Sequence, residues 1–186
     1  MNFRLQTGNP ETLEVGSAED MADATGQMYL METEDAILFW NRVPVRLAYR
    51  YDIPALIDDL VPLLEEVQSP EFSQAQIHWG SDTFSTEWTI ARDGDFLRID
   101  SRWDSVHGSY EFLLNERSQL AVRIDSFVAE WLKVLRRITS DLVIRHVRLE
   151  DDDIATRAKT LSSKSNRPLR EQTYIPPDTR PKTQPR

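Results

Sequence analysis

The sequence predicts an α+β domain, in which a curved antiparallel β-sheet forms a meander and two main amphipathic helices pack against it. Apolar residues recur with helical spacing over residues 53–67 and 125–142. Over residues 75–114 they alternate with polar residues instead, which is the pattern of half-buried strands. The length of 186 residues and the 40% hydrophobic content suit one domain with a sizeable core.

The N-terminal part predicts short elements ahead of the first main helix. Ser17 and Asp20 suit the start of a short helix, and Thr33-Glu34-Asp35 suits a hairpin loop between two strands. The predicted strands are Phe3–Thr7, Gln27–Glu32, Ala36–Trp40 and Val43–Tyr51, and the predicted short helix covers Ala18–Thr25.

The first main helix is predicted over residues 53–67. Asp52 is the predicted N-cap, and Pro54 is tolerated in the first turn. Pro62 lies deep in the helix and should kink it, because proline removes a backbone donor.

Turn residues divide the meander that follows. Asp93-Gly94-Asp95 predicts a tight turn, and further strands are predicted around Tyr110–Leu114 and Gln119–Ile124. The second main helix begins after Asp125, and periodicity leaves open whether residues 143–149 continue it or form a strand. A polar helix is predicted over Asp151–Leu161.

Composition divides the chain into a domain over residues 1–161 and a disordered basic tail over residues 162–186. The tail has five prolines, and its six basic residues outnumber two acidic ones. Its apolar content is too low to offset the entropy of ordering it.

Charge and cysteine usage exclude several function classes. The net charge is −9, and residues 1–70 hold 13 acids against 4 bases, a field that repels nucleic acid and favours a basic partner. The absence of cysteine excludes disulfides, thiolate metal sites and cysteine nucleophiles. Without an apolar leader or an apolar run of membrane-spanning length, a cytoplasmic protein with no membrane contact is expected.

No catalytic group or metal site is predicted. His78, His107 and His146 are far apart in sequence and have no metal-ligand spacing. Phosphate-loop, nucleophile-elbow and zinc-protease motifs are missing. A protein that is not an enzyme and uses no cofactor is therefore expected.

The predicted partner-binding surface is acidic. Helical spacing places four carboxylates of the first main helix on one face, and two more lie in a loop nearby in sequence. Trp40, at a strand end, is the predicted exposed aromatic anchor. The alternative is that this helix face is only exposed to solvent and binds no partner. The acidic candidates are Asp58, Asp59, Glu65, Glu66, Glu34 and Asp35.

Three of the other tryptophans, Trp79, Trp88 and Trp103, lie on inward strand faces by alternation. This placement favours a role in the core. The alternative is an open tryptophan-lined cavity that would bind a small molecule.

Two segments in the second half of the chain are considered together: Trp103-Asp104-Ser105-Val106-His107-Gly108-Ser109-Tyr110-Glu111-Phe112-Leu113-Leu114-Asn115-Glu116 and Phe127-Val128-Ala129-Glu130-Trp131-Leu132. They resemble the ending of small bacterial immunity-type proteins. The similarity covers about a third of the chain. It implies a non-enzymatic cytosolic antidote that occludes a cognate secreted toxin, and it transfers no binding residue.

The sequence therefore favours an immunity protein that neutralises a basic toxin by occlusion. A small acidic secretion chaperone or adaptor is the alternative, and it should dimerise and bind an unfolded client. A small-molecule-binding module is the third hypothesis.

Overall fold

A computed structural model describes residues 2–81 and 83–164, and it confirms the α+β class. Within these residues, five helices accompany a three-stranded sheet, a four-stranded sheet and a two-stranded pair. The elements are β1 Phe3–Gln6, β2 Ser17–Ala18, α1 Met21–Met28, β3 Ala36–Trp40, β4 Val43–Leu47, α2 Pro54–Glu66, β5 Gln74–Gly80, β6 Phe84–Asp93, β7 Phe96–Val106, α3 Glu111–Asn115, β8 Gln119–Arg123, α4 Ile124–Ile144, β9 Arg148–Leu149 and α5 Asp153–Lys164.

The predicted meander is the four-stranded antiparallel sheet, in the order β5-β6-β7-β8. Gly94, with φ 60°, makes the turn between β6 and β7. The strand predicted around Tyr110–Leu114 is wrong, because the short helix α3 lies there. Side chains of α3 instead hydrogen-bond the backbone of β7. Asn115 bonds the backbone N–H and carbonyl of Trp103, and Glu111 accepts from the Val106 N–H.

The first strands form a second antiparallel sheet, in the order β1-β3-β4, rather than extending the meander. The strand predicted over Gln27–Glu32 is wrong, because α1 continues to Met28. Asp20 caps this helix by accepting from the Asp23 N–H at 2.8 Å. Met21, Ala24, Thr25 and Met28 are buried at helical spacing and hold the helix on the core.

The two main helices are confirmed as α2 and α4. Asp52 is not an N-cap as predicted, because its buried carboxylate accepts from the Ala48 N–H and the Thr83 hydroxyl, each at 2.7 Å. After α4 the chain enters β9, which pairs in parallel with β2. The last helix, α5, begins two residues later than predicted and continues to Lys164. The rest of the predicted tail, residues 165–186, lies outside the described residues.

One buried cluster runs from Phe3 to Leu161 and includes residues of both main sheets and of the helices α1, α2, α4 and α5. Its centre is aromatic, with Trp88 4.8 Å from both Trp40 and Trp79 between ring centroids. Among the described helices, none combines the length and the apolar character that crossing a bilayer requires.

Candidate interaction surface

The predicted acidic face of α2 divides into two parts. Asp58, Asp59 and Glu66 are exposed. Glu65 is half-buried, and its Oε2 lies 2.6 Å from Nη2 of Arg157, on α5. This ion pair holds α5 against α2. Because it also neutralises the charge of Glu65, this residue is a poor candidate for binding a partner.

The structure adds two carboxylates that the prediction did not include. Partial loss of solvent around the Asp58 carboxyl raises its pKa, and the nearby charges of Asp20, Asp59 and Asp151 raise it further. Asp20 precedes α1, and Asp151 lies between β9 and α5. We call these four residues, Asp20, Asp58, Asp59 and Asp151, the acidic cluster.

Backbone bonds between distant segments assemble the acidic cluster. The Glu150 N–H donates to the Ala18 carbonyl at 3.1 Å, and the Asp151 N–H donates to the Glu19 carbonyl at 2.8 Å. These bonds extend the β2–β9 pair and place Asp151 beside the start of α1. Sequence reasoning treated Asp20 as a helix start and Asp151 as a helix charge, and no local pattern indicates that they meet.

The acidic cluster has no cation paired with it within residues 2–81 and 83–164. The ion pairs of the described chain join other carboxylates, such as Asp93 to Arg98 at 2.6 Å and Asp141 to Arg137 at 2.6 Å. Four like charges with no paired cation in this part of the chain form a negative field that attracts a cationic surface.

Glu34 and Asp35 are engaged elsewhere. Glu34 accepts from the Asn9 N–H at 2.7 Å, and Asp35 accepts from Nε of Arg46 at 2.6 Å. Both residues hold the segment before β3 in place, and neither is among the charges that act on Asp58.

Trp40 is not an exposed anchor, and that prediction is wrong. Its side chain is fully buried, and its indole N–H donates to the Arg117 carbonyl at 2.9 Å. Trp40 lies on the inward face of β3, where it packs against Trp88 and Trp103. Its position at a strand end did not indicate exposure, because the following turn, at Asn41, is itself held against β8.

The predicted core role of the remaining tryptophans is confirmed, and the tryptophan-lined cavity is contradicted. Trp79, Trp88, Trp103 and Trp131 are each at most 2% exposed. Trp79 meets both Trp88 and Trp131 edge to face, with ring centroids 4.8 and 6.0 Å apart. Their rings fill the space that a small molecule would need.

A surface depression of about 450 Å³ lies between the end of α2 and the start of α4. Its two arginines are already bonded within the protein. Arg92 donates to the Ser69 and Gly94 carbonyls, and Arg123 pairs with Asp125 at 3.1 Å. In the described part of the chain, no group of three histidine or carboxylate side chains is arranged to hold a metal ion.

Comparison of the chain with protein-family models, with curated proteins and with solved structures finds no match. The resemblance to immunity-type proteins therefore stays a prediction.

Proposed function

We propose that this chain is a non-enzymatic binding protein that holds a basic protein partner on its acidic cluster. The supporting observation is that three separate segments bring four carboxylates together and that no cation of the described residues pairs with them. Like charges held close together disfavour the folded state, and a cationic partner would remove that penalty on binding. The same field disfavours nucleic acid.

The partner that we propose is a secreted bacterial toxin, which the chain neutralises in the cytoplasm by occluding its active site. The resemblance over residues 103–116 and 127–132 motivates this part of the proposal. In this role the acidic cluster steers the toxin's basic surface into place and raises the association rate, and contacts around it supply affinity.

The test co-expresses the chain with the protein encoded by the neighbouring reading frame, which this proposal expects to be the toxin. The wild-type chain should restore host growth. The variant Asp58→Asn/Asp59→Asn/Asp151→Asn should restore it poorly and should associate more slowly, with a weaker dependence on salt. Rescue and association that are unchanged by the three substitutions would contradict the proposed surface.

A control variant removes the same number of charges elsewhere. Asp95, Asp100 and Glu116 are exposed and lie outside the acidic cluster. The variant Asp95→Asn/Asp100→Asn/Glu116→Gln should keep rescue and association rate. A neighbouring protein that is not toxic, or an equal loss in this control, would count against the proposal.

Asp58→Asn alone separates binding from folding. Because the pKa of Asp58 is raised in the folded protein, its ionised form destabilises the fold at neutral pH. The substitution should therefore stabilise the chain at about pH 7, and the gain should vanish below about pH 3, where the carboxyl is protonated in both states. A more stable variant that binds more slowly cannot owe its defect to unfolding.

The secretion-chaperone alternative is distinguished by the state of the bound partner. An antidote binds a folded toxin, whereas a chaperone binds an unfolded or apolar segment. Binding of native toxin and failure to bind the same toxin in urea-denatured form would favour the antidote. The reverse result would favour the chaperone.

A further inference from the structure

The free edges of the two main sheets differ in how they are protected against pairing with another chain. At the outer edge of β1, the Leu5 N–H donates to Glu130 Oε2 at 2.6 Å. The Leu5 carbonyl accepts from Lys133 Nζ at 3.4 Å. Side chains of α4 thus occupy both backbone groups of this residue, so another strand cannot bond them.

Two other edges are partly occupied, each by different means. On β4, Pro44 has no N–H, and its carbonyl accepts from the Tyr110 hydroxyl at 2.6 Å. On β8, the Gln119 carbonyl accepts from Asn41 Nδ2 at 2.8 Å. The short strand then leads directly into α4.

The outer edge of β5 has no such block. Ser81 N–H donates to the Phe84 carbonyl, and Arg92 N–H donates to the Ser73 carbonyl, at the two ends of the β5–β6 pair. Because bonded positions alternate along an antiparallel strand, the odd-numbered residues face β6 and the even-numbered ones face outward. In the described chain, no hydrogen bond engages the outward backbone groups, which belong to Gln74, Gln76, His78 and Gly80.

The composition of β5 also leaves this edge open. Its seven residues include no proline, lysine, arginine or carboxylate, and its register with β6 has no bulge. Gly80 is exposed, and since it has no side chain, its backbone itself meets solvent. Ala75 and Ile77, on the inner face, are only half-buried. A further strand at this edge would cover them.

We propose that β5 pairs antiparallel with β5 of a second copy of this chain, joining the two four-stranded sheets across a two-fold axis. Pairing centred on Ile77 sets Gln76 opposite His78 and Gln74 opposite Gly80. Every outward-facing residue then has a partner, and Ile77 packs against its own counterpart.

The charge distribution disfavours contact between two copies less at this strand than on the acidic surface. Each chain carries −9, so two copies repel one another, and an uncharged strand is where they can approach at least electrostatic cost. Because both copies use the same strand, this two-fold pairing closes at two copies and does not propagate. The dimer is independent of the acidic cluster, and its test needs no toxin.

Two measurements on the full chain test the dimer together. Sedimentation velocity over a wide concentration range should show a mass of two chains that dissociates on dilution. Amide hydrogen exchange of Gln76 and His78 should slow by roughly two orders of magnitude in the dimer relative to the dilute monomer. A monomer at every concentration, or a dimer in which these amides stay unprotected, would overturn the proposal.

Gln76→Pro removes an N–H that only the dimer uses, and should therefore give a monomer with unchanged far-ultraviolet circular dichroism. The matched control Gln76→Thr keeps the N–H and should remain a dimer.

A second variant covers the case in which the proline disturbs folding. Gln76→Lys/His78→Lys places like charges opposite each other across the axis and should also give a monomer. Its control, Gln119→Lys/Ala121→Lys, adds the same charge on β8, at the far edge of the sheet, and should leave the dimer intact. A dimer that survives the lysines on β5 would refute the assignment.

Discussion

Glu130 is a charged residue whose replacement by alanine is expected to destabilise the fold by about 1.5–3.5 kcal/mol. Its side chain is buried between α4 and β1, at 7% exposure for the residue. One oxygen, Oε2, lies 2.6 Å from both the Leu5 N–H nitrogen and Lys133 Nζ. Leu5 is itself only 2% exposed, so water cannot easily replace the lost acceptor.

Three contributions make up the expected loss in the free energy of unfolding. Leaving the buried Leu5 N–H without an acceptor costs about 1–3 kcal/mol. Losing one buried methylene, Cγ, adds about 0.8 kcal/mol. The higher helix propensity of alanine offsets about 0.4 kcal/mol. The ammonium of Lys133 adds little, because its half-exposed side chain can turn to water.

Urea unfolding followed by tryptophan fluorescence measures the effect, since all five tryptophans are buried. Glu130→Gln keeps an acceptor for Leu5 and should cost less than half as much as alanine. Glu66→Ala, on the exposed side of α2, should leave the unfolding midpoint almost unchanged. A loss below about 1 kcal/mol for Glu130→Ala, or an equal loss for glutamine, would refute the role given to this hydrogen bond.

Two further predictions concern the turn after β3 and the buried tyrosines. Arg42 has φ 72°, so Arg42→Gly should raise the free energy of unfolding by about 1 kcal/mol, whereas Arg42→Ala, equally strained, should give no such gain in urea unfolding. Burial raises the pKa of Tyr29 and of Tyr49 well above the ordinary value, so both stay protonated in the folded protein when the unfolded chain ionises. The stability they contribute is therefore complete below about pH 10 and is lost above it, at about 1.4 kcal/mol per pH unit for each tyrosine. Unfolding curves at increasing alkaline pH should show this slope for the wild type and a much flatter one for Tyr29→Phe/Tyr49→Phe.

Elements with a long, regular pattern were predictable from the sequence. The helices α2 and α4 and the strands β6 and β7 each show their period over enough residues to exclude the alternative. The errors fall where the pattern is short. Around Tyr110–Leu114 an alternation of three apolar residues was overridden by α3, whose side chains bond the backbone of β7. The sequence around Asp52 is typical of a helix cap, but in the structure its carboxylate accepts from Thr83, which lies 31 positions away.

The candidate surface was only partly predictable. Helical spacing correctly placed Asp58 and Asp59 on the exposed side of α2. Sequence could not show that Arg157 neutralises Glu65, because the two residues are 92 positions apart. Nor could it show that Asp151 lies near Asp58, which depends on the pairing of β2 with β9.

The sequence by itself determined the α+β class, the two main helices, the acidity of the first third and the absence of thiol chemistry. These properties follow from composition and from periodicities that a few neighbouring residues carry. Only the tertiary structure decided that the strands divide into two main sheets, that Trp40 is buried, which carboxylates stay unpaired and which sheet edge stays open. Each of these depends on contacts between residues far apart in the chain, and such contacts are selected by the packing of the whole core.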